Sequence, residues 1–218
     1  MSDQYVQALV PNCFSPESYY KLDVRRGVLN NRFDTKCCTF SAHALRGLYL
    51  GLVHETGPAA KLVLRRCGET WGRRMASRFM DEIKSFYGEG PESMSMARFI
   101  ALAQEYFAVS GWGRLHFDLD LAAEGIFVAE LENPIMGDIF FENREKMDVL
   151  MEGILKELFS HASGELLDCY ETAGVAEGHP VSTFVIALAT RLKKAPDWVE
   201  AGKQHAEIVA NLRTAAVA

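Results

Sequence analysis

The sequence predicts an α+β fold, with an antiparallel sheet of about four or more strands packed against a bundle of long helices. Three observations predict it. Across residues 94–133 the hydrophobic period changes: Met96, Phe99, Ile100, Ala103, Tyr106 and Phe107 recur at helical steps, then Leu115, Phe117 and Leu119 alternate with His116, Asp118 and Asp120. Ser110-Gly111-Trp112-Gly113 separates the two patterns, since glycine reaches backbone angles a helix cannot use. The second observation is a long stripe, Leu64, Cys67, Trp71, Met75 and Phe79, on one face of a helix expected over residues 59–86. The third is a terminal pair of apolar runs, residues 166–172 and 181–188, linked through Gly174 to Pro180, which read as strands.

Taken in order, residues 1–20 contain Pro11 and Pro16 and read as an N-terminal arm rich in aromatic and aliphatic side chains, so it is expected to dock on this chain or a partner. Residues 22–29 and 33–40 read as short strands joined through Asn30-Asn31, where asparagine tolerates positive φ. Cys37 and Cys38 fall in the second strand and are expected to be small, largely buried residues. Ser41 is a plausible N-cap for a helix to about Glu55, which Gly57-Pro58 ends. Gly88, Gly90 and Pro91 mark the loop before the central helix. After that helix and its glycine corner, Ala122-Ala123-Glu124-Gly125 turns the chain into a second strand, residues 126–131. Residues 134–143 carry no clear pattern. A helix over residues 144–162 follows, with Met147, Leu150, Met151, Ile154, Leu155 and Leu158 on its apolar face and Gly153 permitting close approach of another backbone. Pro196 opens a last helix expected over residues 198–212. The domain reading is residues 1–20 as arm, 21–192 as the α+β domain, and 193–218 as a C-terminal helix and tail.

Composition narrows the function classes. The chain has 218 residues, 49% of them hydrophobic, enough for a sizeable core. A net charge of -6 argues against nucleic-acid binding. No run of about 18 apolar residues suggests a transmembrane segment. Cys13, Cys37, Cys38, Cys67 and Cys169 form no C-x-x-C pair, which suits reduced thiols and a cytoplasmic location. Lys61, Arg65, Arg66, Arg73, Arg74 and Arg78 make the long helix basic, fit either for an anionic ligand or for a solvated face balanced by Glu69, Asp81 and Glu82.

Candidate chemistry is sparse. His116, Asp118 and Asp120 project to one face of a strand, a pattern that is more often plain exposure than a metal site, and no metal is expected. Glu130 and Glu132 fit either acid–base work or the end of an exposed strand. There is no G-x-S-x-G and no phosphate-cradling glycine loop, and no cysteine has an activating context. No catalytic residue and no cofactor is assigned.

The succession of helices, Gly111-Trp112-Gly113-Arg114-Leu115, a hairpin, Met151-Glu152-Gly153-Ile154-Leu155, and Glu171 through Gly178-His179-Pro180 to Phe184 resembles the 4-vinyl reductase domain. That domain is similar in fold to small subunits of the TRAPP vesicle-tethering complexes. The resemblance covers roughly residues 22–188. It implies kinship with sensor domains of aromatic-hydrocarbon-responsive regulators and with proteins of bacteriochlorophyll synthesis, and hence a bacterial source. In the family the terminal strands commonly carry a zinc site written E-x-x-C with a second cysteine eight residues on. Here Glu171 holds the first position, but Gly174 and Ser182 stand where the cysteines belong, so zinc is expected to be lost. A more limited resemblance, over residues 111–155, is to a small, non-catalytic accessory protein of bacterial cellulose synthase.

The functional expectation is a non-catalytic ligand-binding or assembly module, taking a small hydrophobic molecule or a protein partner. Trp71, Trp112, Phe117 and Met151 are the candidate ligand-binding residues, although each also fits simple core filling. Trp112 is expected to anchor the helix-to-strand corner. An accessory component of a biosynthetic complex, of the cellulose synthase kind, and a tetrapyrrole-related reductase or chaperone are the alternatives. The wide apolar faces of residues 64–79 and 147–158 predict a homodimer or higher oligomer.

Overall fold

Cys13 and Phe14 are fully buried, and the Phe14 ring stacks on Phe79 at 5.4 Å. They are the first residues of a computed structural model that describes residues 13–90, 93–139 and 146–215. From Cys13 onward the expected arm therefore packs into the chain's own core, and its residues 1–12 lie outside the described ones. Helix α1 (Pro16–Tyr19) leads into β1 (Tyr20–Asp23), β2 (Val28–Asn31) and β3 (Lys36–Cys37), an antiparallel three-stranded sheet. The turn expected at Asn30-Asn31 lies instead at residues 24–27, where Gly27 takes φ +62°. Asn31 serves the next turn, its side-chain oxygen accepting the N–H groups of Phe33 (3.0 Å) and Thr35 (2.9 Å). That local chemistry competes with ladder pairing and shortens β3 to two residues. The cysteine pair is also corrected: Cys37 is half-buried and Cys38 exposed.

Helix α2 (Ala42–Thr56) starts where the sequence indicates, with Ser41 Oγ accepting the N–H of Ala44 at 3.2 Å. Gly57-Pro58 makes a single turn before α3 (Ala60–Tyr87). Then come α4 (Met96–Val109), capped by Ser95, and the strands β4 (Arg114–Asp118) and β5 (Ile126–Glu132). The unassigned segment contains a short helix, α5 (Ile135–Ile139). Helix α6 (Val149–Ser163), β6 (Leu167–Ala173) and β7 (Ser182–Leu188) follow. The last expected helix is two: α7 (Ala195–Glu200) and α8 (His205–Ala215), divided where Gly202 takes φ +70°.

The second sheet is antiparallel in the order β4-β5-β7-β6. Alternation along its strands sends Leu115, Ala129, Leu131, Cys169, Phe184 and Ile186 toward α3, α4 and α6, where Phe159 gathers the rings of Phe99, Phe117 and Phe127. The opposite face, through Ile126, Val185 and Ala187, packs on Leu192, Ala195, Ile208 and Leu212 from the C-terminal segment. Strand β7 is therefore buried on both faces, which explains its unbroken apolar run.

Helices α3 and α6 cross at their glycines. A Cβ built on Gly72 would stand 2.8 Å from the Ile154 Cα, and one on Gly153 only 2.6 Å from the Glu69 nitrogen. A Cβ on Gly68 would collide with the Leu150 carbonyl. The apolar faces expected to be left over for a dimer thus cover each other within one chain, and the buried stripe of α3 runs through Gly68, Gly72, Met75, Ala76, Phe79 and Ile83, not through Cys67 and Trp71.

The crossing yields a direct prediction. Gly153→Ala places a methyl against α3 backbone and is expected to lower stability by about 1–3 kcal/mol or more. Gly47→Ala, on α2 where an added Cβ meets nothing within 4 Å, is expected to raise it by about 0.5–1 kcal/mol. Denaturant unfolding of both variants measures the contrast, and equal effects would remove the crossing as the cause.

Candidate functional site

The face of α3 beside its contact with α6 helps wall a cavity of about 910 Å³, which Leu150 of α6 also lines. Trp71, Arg74, Met75, Arg78 and Glu82 follow one another at helical steps along that wall. The first sheet contributes Tyr20, Asn31 and residues 35–40, α2 contributes Leu45 and Leu48, and the end of α4 with its glycine corner contributes Tyr106, Val109 and Trp112. Trp71 and Trp112, far apart in sequence, meet with ring centroids 5.0 Å apart. Trp112 is half-buried and packs on the core as well as lining the cavity, while Trp71 keeps 37% of its surface exposed.

Polar groups are concentrated at one end. The Asn31 amide donates to Glu82 Oε1 at 3.0 Å and to the Tyr19 hydroxyl at 3.3 Å, and that hydroxyl donates to Glu82 Oε2 at 3.3 Å. Burial holds the Glu82 carboxyl above its ordinary value against these bonds and the nearby Arg78. Arg78 itself donates to Thr35 Oγ1. Burial also raises the Cys37 thiol on the cavity wall, so this sulfur is not an activated nucleophile. The arrangement is a largely apolar chamber with aromatic rings and a few fixed polar groups, the usual make-up of a small-molecule site.

Two of the four residues proposed from sequence stand elsewhere. Phe117 packs on Phe159 at 5.2 Å between the second sheet and α6, and Met151 is buried in the same core. Neither lines this cavity, because strand alternation and the α3–α6 crossing turn both inward. Sequence reasoning offered Arg74 and Arg78, with Glu82 as a balancing charge, only within a basic helix that could take an anionic ligand, and did not place them with Trp71 in one cavity. Their signal was present in the basic helix, at the same spacing that carries Trp71.

The positions matched to a zinc site do converge, but the residues do not fit zinc. Gly174 offers no donor, and a Cβ there would sit 2.5 Å from Glu171 Oε1. The Ser182 hydroxyl is committed, donating to Asp148 Oδ2 at 2.5 Å and accepting the Val175 N–H at 3.3 Å. Glu171 Oε2 accepts the Asp148 N–H at 2.9 Å, and the Glu171 N–H donates to Glu152 Oε1 at 2.8 Å. Arg65 is the cation of this cluster, 3.2 Å from Glu152 and 2.5 Å from Asp168, with its guanidinium over the Tyr170 ring. Burial pushes Glu152 up to about 7, opposed by Arg65. Glu171 is raised well above the carboxylate range by burial and then by the charges of Asp148 and Glu152. Its Oε1 has no hydrogen-bond partner among the described residues. The strand motif H-x-D-x-D is likewise occupied otherwise: His116 lies 3.4 Å from Glu132, and Asp118 accepts the Asp120 N–H at 2.8 Å.

No protein-family model and no curated relative matches this sequence. Among solved structures, the chain is similar to the phenol-responsive sensory domain of the transcription activator PoxR, crystallised with phenol. The TM-score is 0.68 at 15% identity, over 93% of this chain and 99% of that one. It is also similar to a trafficking protein particle complex subunit 3 from Naegleria fowleri covalently bound to palmitic acid (TM-score 0.48, 13% identity, 67% of this chain and 94% of that one). A vinyl-4-reductase family protein from Methanocaldococcus jannaschii matches with a TM-score of 0.46 at 16% identity, over 71% and 83% of the two chains. At these identities the likeness establishes the α+β fold, and the sensory domain carries it.

Two outcomes follow from the carboxyl cluster. Metal analysis of the purified chain is expected to find no stoichiometric zinc; about one zinc per chain surviving mild chelation would contradict the fit. The folded state also holds protons that the unfolded chain releases near pH 4.5. The unfolded state then binds fewer protons, so stability falls as pH rises from that value through about 7. Thermal unfolding is expected at a lower midpoint near pH 8 than near pH 6, with a smaller difference in Glu171→Gln. An undiminished difference in that variant would locate the proton elsewhere.

Proposed function

We propose that this chain is a non-catalytic ligand-binding module whose cavity between α2, α3 and the first sheet takes a small hydrophobic molecule. The observation that carries the reading is the meeting of Trp71 and Trp112 on the wall of a chamber of about 910 Å³. That volume lies within the range of drug-sized ligand sites, about 300–1,000 Å³. The solved domain of the same fold is described as phenol-responsive, which supports an aromatic ligand here. Trp198 packs in a different cluster, under the C-terminal helices, and serves as an internal control.

Titration with naphthol, an uncharged aromatic probe, is expected to change tryptophan fluorescence saturably. Trp71→Phe should remove much of the response and Trp198→Phe should not. A wild-type signal that stays flat through the micromolar range discards this reading.

A second reading, assembly with another protein or a second copy, is supported by α2. Its Leu48 and Leu50 are 62% and 53% exposed, an unusual outward display beside the cavity mouth. Light scattering at tens of micromolar is expected to give about twice the chain mass, on the order of a weak-dimer Kd. A strict monomer there leaves small-molecule binding alone.

A further inference from the structure

We propose that the cavity is built for an organic anion, with its apolar body against Trp71 and Trp112 and its acid group at Arg74 and Arg78. The proposal rests on the ligand-binding reading and names the chemical class that the site selects. Arg74 and Arg78 are four residues apart on α3, so both fall on the helix face that carries Trp71, and all three line the cavity. Lys36 from β3 adds a third cation to the lining. Against these stands one carboxyl among the described lining residues, Glu82, which the Tyr19 hydroxyl and the Asn31 amide already bind. Burial raises the pKa of that carboxyl, which favours its uncharged form. The cavity is thus electropositive in a chain of net charge -6, and walls of low dielectric strengthen its field.

Two of the other arginines of α3, Arg65 and Arg73, show what a structural arginine does in this protein, while Arg66 is exposed and does not line this cavity. Arg65 is paired with Asp168 and Glu152, and Arg73 holds Glu157 through two contacts of 3.1 Å. Arg78 donates to the neutral Thr35 hydroxyl and has the buried Glu82 carboxyl as its nearby opposite charge. Arg74 makes no hydrogen bond or ion pair with the described residues. A guanidinium presents paired N–H groups that match a carboxylate in a two-bond fork. One turn of helix from an aromatic wall, that fork fixes a flat acid by both ends.

Calorimetric titration of the full chain with naphthoate and naphthol, one ring system with and without a carboxylate, tests the proposal. The wild type is expected to bind naphthoate about tenfold more tightly, the size of one charge-assisted contact. Arg74→Gln, at an exposed position, should lower naphthoate affinity far more than naphthol affinity and so erase that preference, and added salt should weaken naphthoate more than naphthol. Equal binding of the two probes, or a preference untouched in both Arg74→Gln and Arg78→Gln, overturns the anion assignment and leaves the hydrophobic cavity standing. Failure of both probes to bind overturns the cavity reading and the anion assignment together.

Discussion

The approach of α3 to α6 is the constraint on which the rest of the molecule depends. Gly68, Gly72 and Gly153 bring the two backbones within reach of a single missing methyl. At that separation the helices form one rigid layer, with Met75, Phe79, Ile154, Leu155 and Leu158 sealing its ends. Large side chains at the crossing would hold the helices apart and open the core beside it. The close crossing also gives α3 two working faces. One presses on α6 and the second sheet, and the other is released to wall a cavity.

Each face of α3 carries arginines, and their surroundings set what they do. On the α6 side Arg65 is taken out of water, so it is matched by Glu152 and Asp168 and covered by the Tyr170 ring. The same cluster holds more carboxyl groups than that cation can balance, and burial drives the excess toward the protonated form. Hydrogen bonds among Asp148, Glu171 and Ser182 tie β6 and the start of β7 to the start of α6. On the cavity side Arg74 and Arg78 reach solvent, where a charge is tolerated without a fixed partner. One helix thereby serves as a structural post on one face and as a cavity wall on the other.

The aromatic residues divide in the same way. Phe99, Phe117 and Phe127 converge on Phe159 and fill the space between sheet and helices. Trp71 and Trp112 instead meet beyond the end of that core, where α2 stands off from α3 and leaves volume unfilled. Tyr49 is the only residue of α2 that is buried, so the helix closes the chamber with Leu45 and Leu48 and packs little of itself into the core. The cavity arises here because an amphipathic helix is not fully satisfied by its own chain.

The sequence by itself determined the α+β class, the helix capped by Ser41, the helix-to-strand switch at Gly111 to Gly113, and both terminal strands. These are local features: hydrophobic period, cap chemistry and glycine act over a few residues. It also held the clue to the helix crossing in Gly153, and to the missing zinc donors in Gly174 and Ser182. What only the tertiary structure decided is which apolar face meets which. Residues 64–79 and 147–158 show wide apolar faces, but periodicity cannot say that each covers the other. The sequence likewise ranks Phe117 with Trp112 as candidate ligand-binding residues until packing sends one inward and leaves the other on the cavity wall. The short turn at Asn31 and the break at Gly202 escaped for a related reason, since a side-chain oxygen and one positive φ decided them against the surrounding pattern. The cavity and the buried carboxyls both join residues remote along the chain, and such contacts are settled by three-dimensional packing alone.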